Sequence, residues 1–173
     1  MVQVYENILP EELCNKLIDV FENSSENHEF INNSYKPCFT QLNINKTHPE
    51  LVRELVSYTQ RVYGLYSVDV NNKFLPKLKK MEEFRIKRYL PGGEERFDEH
   101  VDVANQNDCI RALSFQFYLN DNDGDTYFSK IKKYVKPKVG KAIVFPPTWE
   151  YPHSGLPPSN NTKYILSTYI HYG

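Results

Sequence analysis

Cysteine is scarce in this chain and poorly placed for chemistry of its own. Cys14, Cys38 and Cys109 are the only three, and no two are close enough for a Cys-x-x-Cys clamp. Neither a disulfide framework nor a thiolate zinc site is therefore expected, and a reducing compartment fits better. No stretch of about 18 apolar residues occurs, so no membrane-spanning helix is expected. The amino terminus, Met1-Val-Gln-Val-Tyr-Glu6, has no basic region leading into an apolar run, so no secretion signal is visible. An excess of either charge is missing too. With 21 basic and 22 acidic side chains the net charge is -1, which gives no whole-chain attraction to nucleic acid or to anionic membrane. Repeats, low-complexity tracts and obvious linkers are absent. What remains is a 173-residue chain, expected to form one soluble, cytoplasmic domain with a real core.

What the chain does have is aromatic side chains, 13 Tyr and 10 Phe among them, which suit a sheet-rich fold. Val2 to Glu6 alternates weakly, like a short strand. Pro10-Glu11-Glu12 opens a helix with residues that a first turn tolerates, and Leu13, Leu17, Ile18 and Phe21 recur at helical spacing. A second helix is expected from Pro49 to about Tyr63, with Leu51, Leu55, Val56 and Val62 on one stripe, and Cys38 to Ile44 reads as extended. Beyond Lys80 the pattern changes to short strands. Glu83 to Leu90 sets Phe84 and Ile86 against Arg85, Lys87 and Tyr89. Arg111 to Leu119 sets Leu113, Phe115 and Phe117 against Ser114, Gln116 and Tyr118. Short runs follow near 126–128, 133–135 and 142–145, and Lys163 to Tyr172 alternates, with Lys163, Ile165, Ser167, Tyr169 and His171 on one side. Residues 1–80 thus supply supporting helices and strands and 81–173 a strand-rich core, suggesting a sandwich or barrel buttressed by helices. Segments 65–82 and 103–110 are candidate lids.

His100-Val101-Asp102 carries the first chemical signal. On an extended segment residues i and i+2 point the same way, so an imidazole and a carboxylate can reach one ion. A second imidazole from elsewhere would complete a facial triad with open positions, the arrangement that oxygen activation by Fe(II) requires. Alone, His-x-Asp is common and an exposed pair at a strand end explains it. His153, just after Trp149-Glu150-Tyr151-Pro152, supplies the missing partner. His28 and His48 lie in polar surroundings that suit surface residues, and His171 reads as packed or terminal. Ten residues after His153 stands Lys163. A cation set back from a metal suits the far carboxylate of a dicarboxylate such as 2-oxoglutarate, with Tyr118 or Tyr89 as hydroxyl donor. The plain alternatives are a solvated lysine and packed tyrosines.

These pieces, taken in order over roughly residues 84 to 172, resemble the prolyl 4-hydroxylase-like branch of the Fe(II)/2-oxoglutarate-dependent dioxygenases. Tyr89-Leu-Pro-Gly92 leading through Phe97 to His100-Val-Asp102 is similar to the family's Tyr-x-x-Gly run into its first two iron ligands. Tyr118-Leu-Asn120, Gly124-Asp-Thr126 with Phe128, Pro137 with Gly140, and His153-Ser-Gly155 running on to Lys163 resemble its later segments. The resemblance implies a distorted double-stranded β-helix, a jelly-roll or cupin-like fold. It implies Fe(II) on His100, Asp102 and His153, and 2-oxoglutarate held by Lys163 with Tyr118, Tyr89 and Thr126 nearby. It also implies O2 as oxidant and hydroxylation of an unactivated C–H, a prolyl residue in a peptide or protein leading, with small molecules as the other substrate class. The sequence departs from the pattern at Asp123 and Asp125, in the Gly-Gly-Glu-Thr segment, and at Pro158, which stands where a β-branched residue is usual. Two other readings keep the same ligands: a cupin-like Zn or Mn hydrolase or isomerase, which gives Lys163 no duty, and a non-catalytic 2-oxoglutarate-binding module. Asn120 to Gly124 is not a calcium loop, because Leu119 and Lys130 would fall where acids are needed.

Overall fold

Alternation along the strands divides the apolar side chains between two cores, one on each face of a curved sheet. The computed structural model describes residues 1–33, 37–71, 73, 75 and 77–173. In chain order the elements are β1 (Gln3–Tyr5), α1 (Glu11–Glu22), β2 (Glu29–Asn32), β3 (Pro37–Asn43), α2 (Ile44–Thr47), α3 (Pro49–Asp69), β4 (Leu78–Met81) and β5 (Arg85–Tyr89). They continue with β6 (Arg96–His100), β7 (Arg111–Tyr118), β8 (Thr126–Phe128), β9 (Lys133–Val135), β10 (Ala142–Phe145), β11 (His153–Gly155) and β12 (Lys163–Tyr172). The hydrogen-bonded order is β1-β10-β7-β12-β5-β3-β6-β11-β8-β9, with β2 on β3 and β4 on β12. The ends of this path approach each other. Lys133 of β9 donates from Nζ to the Val2 carbonyl at 3.3 Å, so the sheet nearly closes into a barrel.

The outer core lies between the sheet and the helices. Phe115 and Phe117 of β7, Leu166 of β12 and Ile86 of β5 pack in one cluster with Leu17 and Phe21 of α1 and Leu55 of α3. Each is at most 1% exposed, worth roughly 1.5–3 kcal/mol per side chain in burial from water. The inner core uses the alternate positions: Tyr89, Tyr118, Ile143, Phe145 and Ile165. Leu166 and Ile165 thus belong to opposite faces because a strand changes face at every residue.

Helix α3 runs to Asp69, about one and a half turns beyond the expected end. Gly64 invites an earlier stop, at about 1 kcal/mol relative to alanine, but Tyr66 is 2% exposed and continues the buried stripe. Burial outweighs propensity here. The span 65–82 is accordingly not a free lid. Its first residues complete α3, and Met81 and Leu78 pair with Ile170 and Tyr172 of β12; residues 72, 74 and 76 of that expectation lie outside the described residues. Segment 103–110 contains no helix or strand. At Gly140 a left-handed turn (φ 75°) aims one carbonyl at the N–H groups of both Ile8 and Leu9, at 2.7 and 3.1 Å. That contact ties the start of the chain to β10.

Candidate functional site

The last residue of β6 and the first residue of β11 are direct antiparallel partners, His100 and His153. Opposed side chains on neighbouring strands project to the same face, and the two rings stand 4.4 Å apart. Asp102 is not on the strand. β6 ends at His100, and the chain turns before Asp102 while Val103 N–H donates to the Pro147 carbonyl at 3.0 Å. The turn, rather than alternation along a continuous strand, therefore brings the carboxylate round. Oδ1 lies 3.5 Å from His100 Nε2 and Oδ2 lies 3.7 Å from His153 Nε2. Ligand atoms of all three side chains fall within 4.8 Å of one another.

The ring orientations suit a metal. His100 Nδ1 faces the Asp98 carbonyl at 2.8 Å, and His153 Nδ1 faces the Tyr151 carbonyl at 3.1 Å. A carbonyl only accepts, so each Nδ1 carries the proton and each Nε2 turns a lone pair toward the cluster. Asp102 Oδ2 is buried with no hydrogen-bond partner among the described residues, an orphaned acceptor of the kind a cation would satisfy. Burial disfavours the Asp102 charge, but His100, His153 and Lys87 nearby outweigh that and hold the carboxyl well below its ordinary range. Burial pushes the His153 imidazole down to about 4, against the pull of Asp102. A carboxylate and neutral imidazoles are the protonation states that metal binding needs. Two imidazole nitrogens and one carboxylate fit Fe(II) as a ligand set.

Lys163 is fully buried, not a solvated strand-end lysine. Its ammonium donates to the carbonyls of Gly124 and Leu156 at 2.9 and 2.8 Å and lies 4.7 Å from the Tyr89 ring centre. Two of its three protons are used, which leaves one to give. Burial lowers its pKa to about 7, with Asp125 and then Asp123 acting in the opposite direction. Those acids are the departures noted above in the loop after β7. The cavity beside the His–Asp–His cluster is lined by Tyr89 and Thr126 but by neither Tyr118 nor Lys163. Tyr118 lies fully buried and donates from its hydroxyl to Thr126 Oγ1 at 2.6 Å. It positions Thr126 and does not reach the cavity.

The remaining histidines stay away from the cluster. His28 stacks on Phe21 at 4.1 Å and is half-buried rather than a surface residue. His48 contacts Thr47, and His171 pairs with Glu82 at 2.8 Å. Trp149 is 71% exposed beside Lys130.

Four participants escaped the sequence reading. Lys87, Gln116 and Tyr169 line the cavity, and each had been placed on the same strand face as a candidate residue, which was the available signal. Arg111 is the fourth. It donates to the Asp102 carbonyl at 3.1 Å, stacks over the Tyr169 ring at 4.2 Å and is gripped by Glu82 at 2.7 and 3.2 Å. Phe97 stacks nearly parallel on His100, centroids 3.5 Å apart.

Comparison with known proteins agrees with this architecture. A prolyl-4-hydroxylase from Pseudomonas putida superposes with a TM-score of 0.79 at 19% identity, covering 99% of this chain and 92% of the other. A Trichoplax adhaerens prolyl hydroxylase in complex with a hypoxia inducible factor peptide gives 0.79 at 14% identity, covering 99% and 83%. A viral collagen prolyl hydroxylase from Paramecium bursaria Chlorella virus-1, in complex with 2-oxoglutarate, gives 0.74 at 20% identity, covering 99% and 96%. The nearly closed antiparallel barrel is thus the double-stranded β-helix expected from the sequence. In sequence, a protein of Acanthamoeba polyphaga mimivirus provisionally named a prolyl 4-hydroxylase is 31% identical over 109 residues. That match covers 51% of this chain and 44% of the relative, so the chain matches less than half of that protein's length. The profile of the 2OG-Fe(II) oxygenase superfamily matches residues 84–171, the stretch that holds the His–Asp–His cluster and Lys163, and the chain belongs to that superfamily.

Proposed function

We propose that this protein is a 2-oxoglutarate-dependent dioxygenase that hydroxylates an unactivated C–H bond, a prolyl residue in a peptide or protein being the substrate. One observation carries the reading. Three metal-competent donors converge on a single point, and Lys163 lies buried against Tyr89 of the cavity wall with a proton to spare. In this reading His100, Asp102 and His153 hold the iron. Bound there, Fe(II) supplies the O2 chemistry that couples oxidative decarboxylation of 2-oxoglutarate, to succinate and CO2, with hydroxylation of the substrate.

The protein's own part is binding, orientation and exclusion of water. Lys163 pairs with the remote carboxylate of 2-oxoglutarate by a charge-assisted hydrogen bond. The Tyr89 ring beside it and the Thr126 hydroxyl border the same chamber. Phe97 stops the His100 ring from swinging out, and Phe128 and Phe145 pack around His153. A dry, preorganised chamber keeps those electrostatic contacts strong. The proline assignment is supported by the prolyl hydroxylases that share the fold and by the mimivirus relative.

The test is mass spectrometry of proline-containing peptides incubated with the protein, Fe(II), O2 and 2-oxoglutarate. The expected result is a gain of one oxygen on proline, with succinate formed in step. Succinate without oxidised peptide would move the substrate to another C–H. An iron-loaded protein that neither binds 2-oxoglutarate nor forms succinate would end the proposal.

A further inference from the structure

The chamber holds one cation more than a metal and 2-oxoglutarate require. Lys87 on β5 lines the cavity together with His100, Asp102 and His153. Its ammonium lies 5.2 Å from the Phe39 ring centre, and among the described residues it forms no hydrogen bond and no ion pair. Lys87 and Tyr89 are successive inward positions of one strand, roughly 7 Å apart. Across the sheet Tyr89 pairs with Lys163, and Lys87 pairs with Ile165. The two lysines therefore stand at different depths. Burial lowers the pKa of both amines, opposed at Lys163 by Asp125 and Asp123 and at Lys87 by Asp102, so an anion brought to Lys87 would favour its charged form.

The charge count follows. Fe(II) with the Asp102 carboxylate leaves one positive charge, which the metal-bound carboxylate of 2-oxoglutarate cancels, and Lys163 cancels the remote carboxylate. The loaded site is then neutral without Lys87. Lys87 is half-buried; a cation partly withdrawn from water without a counter-charge is unfavourable, and Asp102, committed to the metal and to Tyr169, is not free to supply one.

We infer that Lys87 is the docking point for a carboxylate carried by the primary substrate, next to the carbon that is oxidised. The inference rests on the functional reading above and narrows it: the substrate is an amino-acid unit with an adjacent anion, either its own terminal carboxylate or that of a neighbouring acidic side chain.

Calorimetry on the Fe(II)- and 2-oxoglutarate-loaded protein, without O2, tests this by binding rather than turnover. The probes are acid and amide pairs: N-acetylproline against N-acetylprolinamide, N-acetylalanine against its amide, and an acetyl-prolyl-aspartyl amide against its asparaginyl counterpart. The wild type is expected to bind at least one prolyl acid about tenfold more tightly than its amide, from one charge-assisted contact. Lys87→Met removes that preference, and Lys87→Arg, which keeps the charge, retains it. Preference within the N-acetylproline pair assigns a terminal carboxylate, and preference within the aspartyl pair assigns a side chain. An equal preference within the alanine pair keeps the anion site and removes proline. Prolyl amides that bind as well as the acids, and more tightly than the alanyl pair, keep proline and remove the anion site. Absence of any acid preference in the wild type, its persistence in Lys87→Met, or a collapse of 2-oxoglutarate affinity in that variant overturns the inference.

Discussion

Tyr169 donates a 2.8 Å hydrogen bond from its hydroxyl to Oδ1 of Asp102, while Oδ2 of the same carboxylate is left without a hydrogen bond among the described residues. One oxygen is thereby fixed by the protein and the other is free for a ligand. Asp102 lies in a turn beyond β6, so its orientation is not set by a strand. It depends on Tyr169, on Arg111 at the main-chain carbonyl, and on Glu82, which holds Arg111 in place. Partners behind a metal ligand typically account for about 10–100-fold in metal affinity. Tyr169→Phe is therefore expected to weaken Fe(II) binding by about that factor, read by anaerobic metal titration with an unchanged circular dichroism spectrum. Unaltered metal affinity would show that the turn alone suffices to aim Asp102.

Lys163 gives a second prediction, on cosubstrate binding. Its ammonium is buried and held by two carbonyls, so removing it leaves the remote carboxylate of 2-oxoglutarate unpaired in a desolvated chamber. Lys163→Met should lower 2-oxoglutarate affinity by about 3–5 kcal/mol, the usual cost of breaking a buried ion pair, without moving Fe(II) affinity. A metal hydrolase on the same scaffold would bind and turn over as before, so equilibrium titration with 2-oxoglutarate separates the two.

The same lysine makes stability depend on pH in a definite direction. Burial brings its pKa from 10.5 to about 7 in the folded chain. Between those values the unfolded chain holds a proton that the folded one lacks, so this group's contribution to stability rises with pH across the window. Below about pH 7 both states are protonated and the burial penalty is complete. Denaturant titrations of the metal-free protein at about pH 6.5 and about pH 9 should show a gain for the wild type that Lys163→Met lacks. Identical pH responses in the two proteins would mean that Lys163 keeps its ordinary pKa in the fold.

Much of this was legible before any coordinates. Strands β8, β9, β10 and β12 fall where alternation and turn residues put them, because each buries one or both faces and is bounded by Asn, Asp, Gly or Pro. Strands β2, β4, β6 and β11 escaped, and the last two are of another kind. β11 reads His-Ser-Gly and β6 reads Arg-Phe-Asp-Glu-His, with little apolar periodicity, since their faces serve ligands and solvent rather than the cores. The His100, Asp102 and His153 cluster could be inferred from spacing and residue type. The convergence of Tyr169, Arg111 and Glu82 on Asp102 could not, because contacts between residues up to 67 positions apart depend on strand order. Lys87 was visible on the correct face but had no partner in the sequence to give it a role.

Two glycines separate the stability of the fold from the integrity of the cosubstrate site. At Gly140 a Cβ would clash with the Leu9 carbonyl oxygen in a backbone at φ 75°. Gly140→Ala should cost on the order of 1–3 kcal/mol by prising β1 and α1 from β10, with no effect on the 2-oxoglutarate affinity of the molecules that fold. At Gly124 the added Cβ would meet the Leu156 oxygen at 2.7 Å. Those two residues furnish both carbonyls that hold the Lys163 ammonium. Spreading them re-aims the cation, so Gly124→Ala should weaken 2-oxoglutarate binding as well as stability. Thermal melts paired with 2-oxoglutarate titrations measure both quantities on each variant. If Gly140→Ala weakened the cosubstrate as much as Gly124→Ala, a general loosening of the barrel, rather than the carbonyl cradle at Lys163, would be what governs the site.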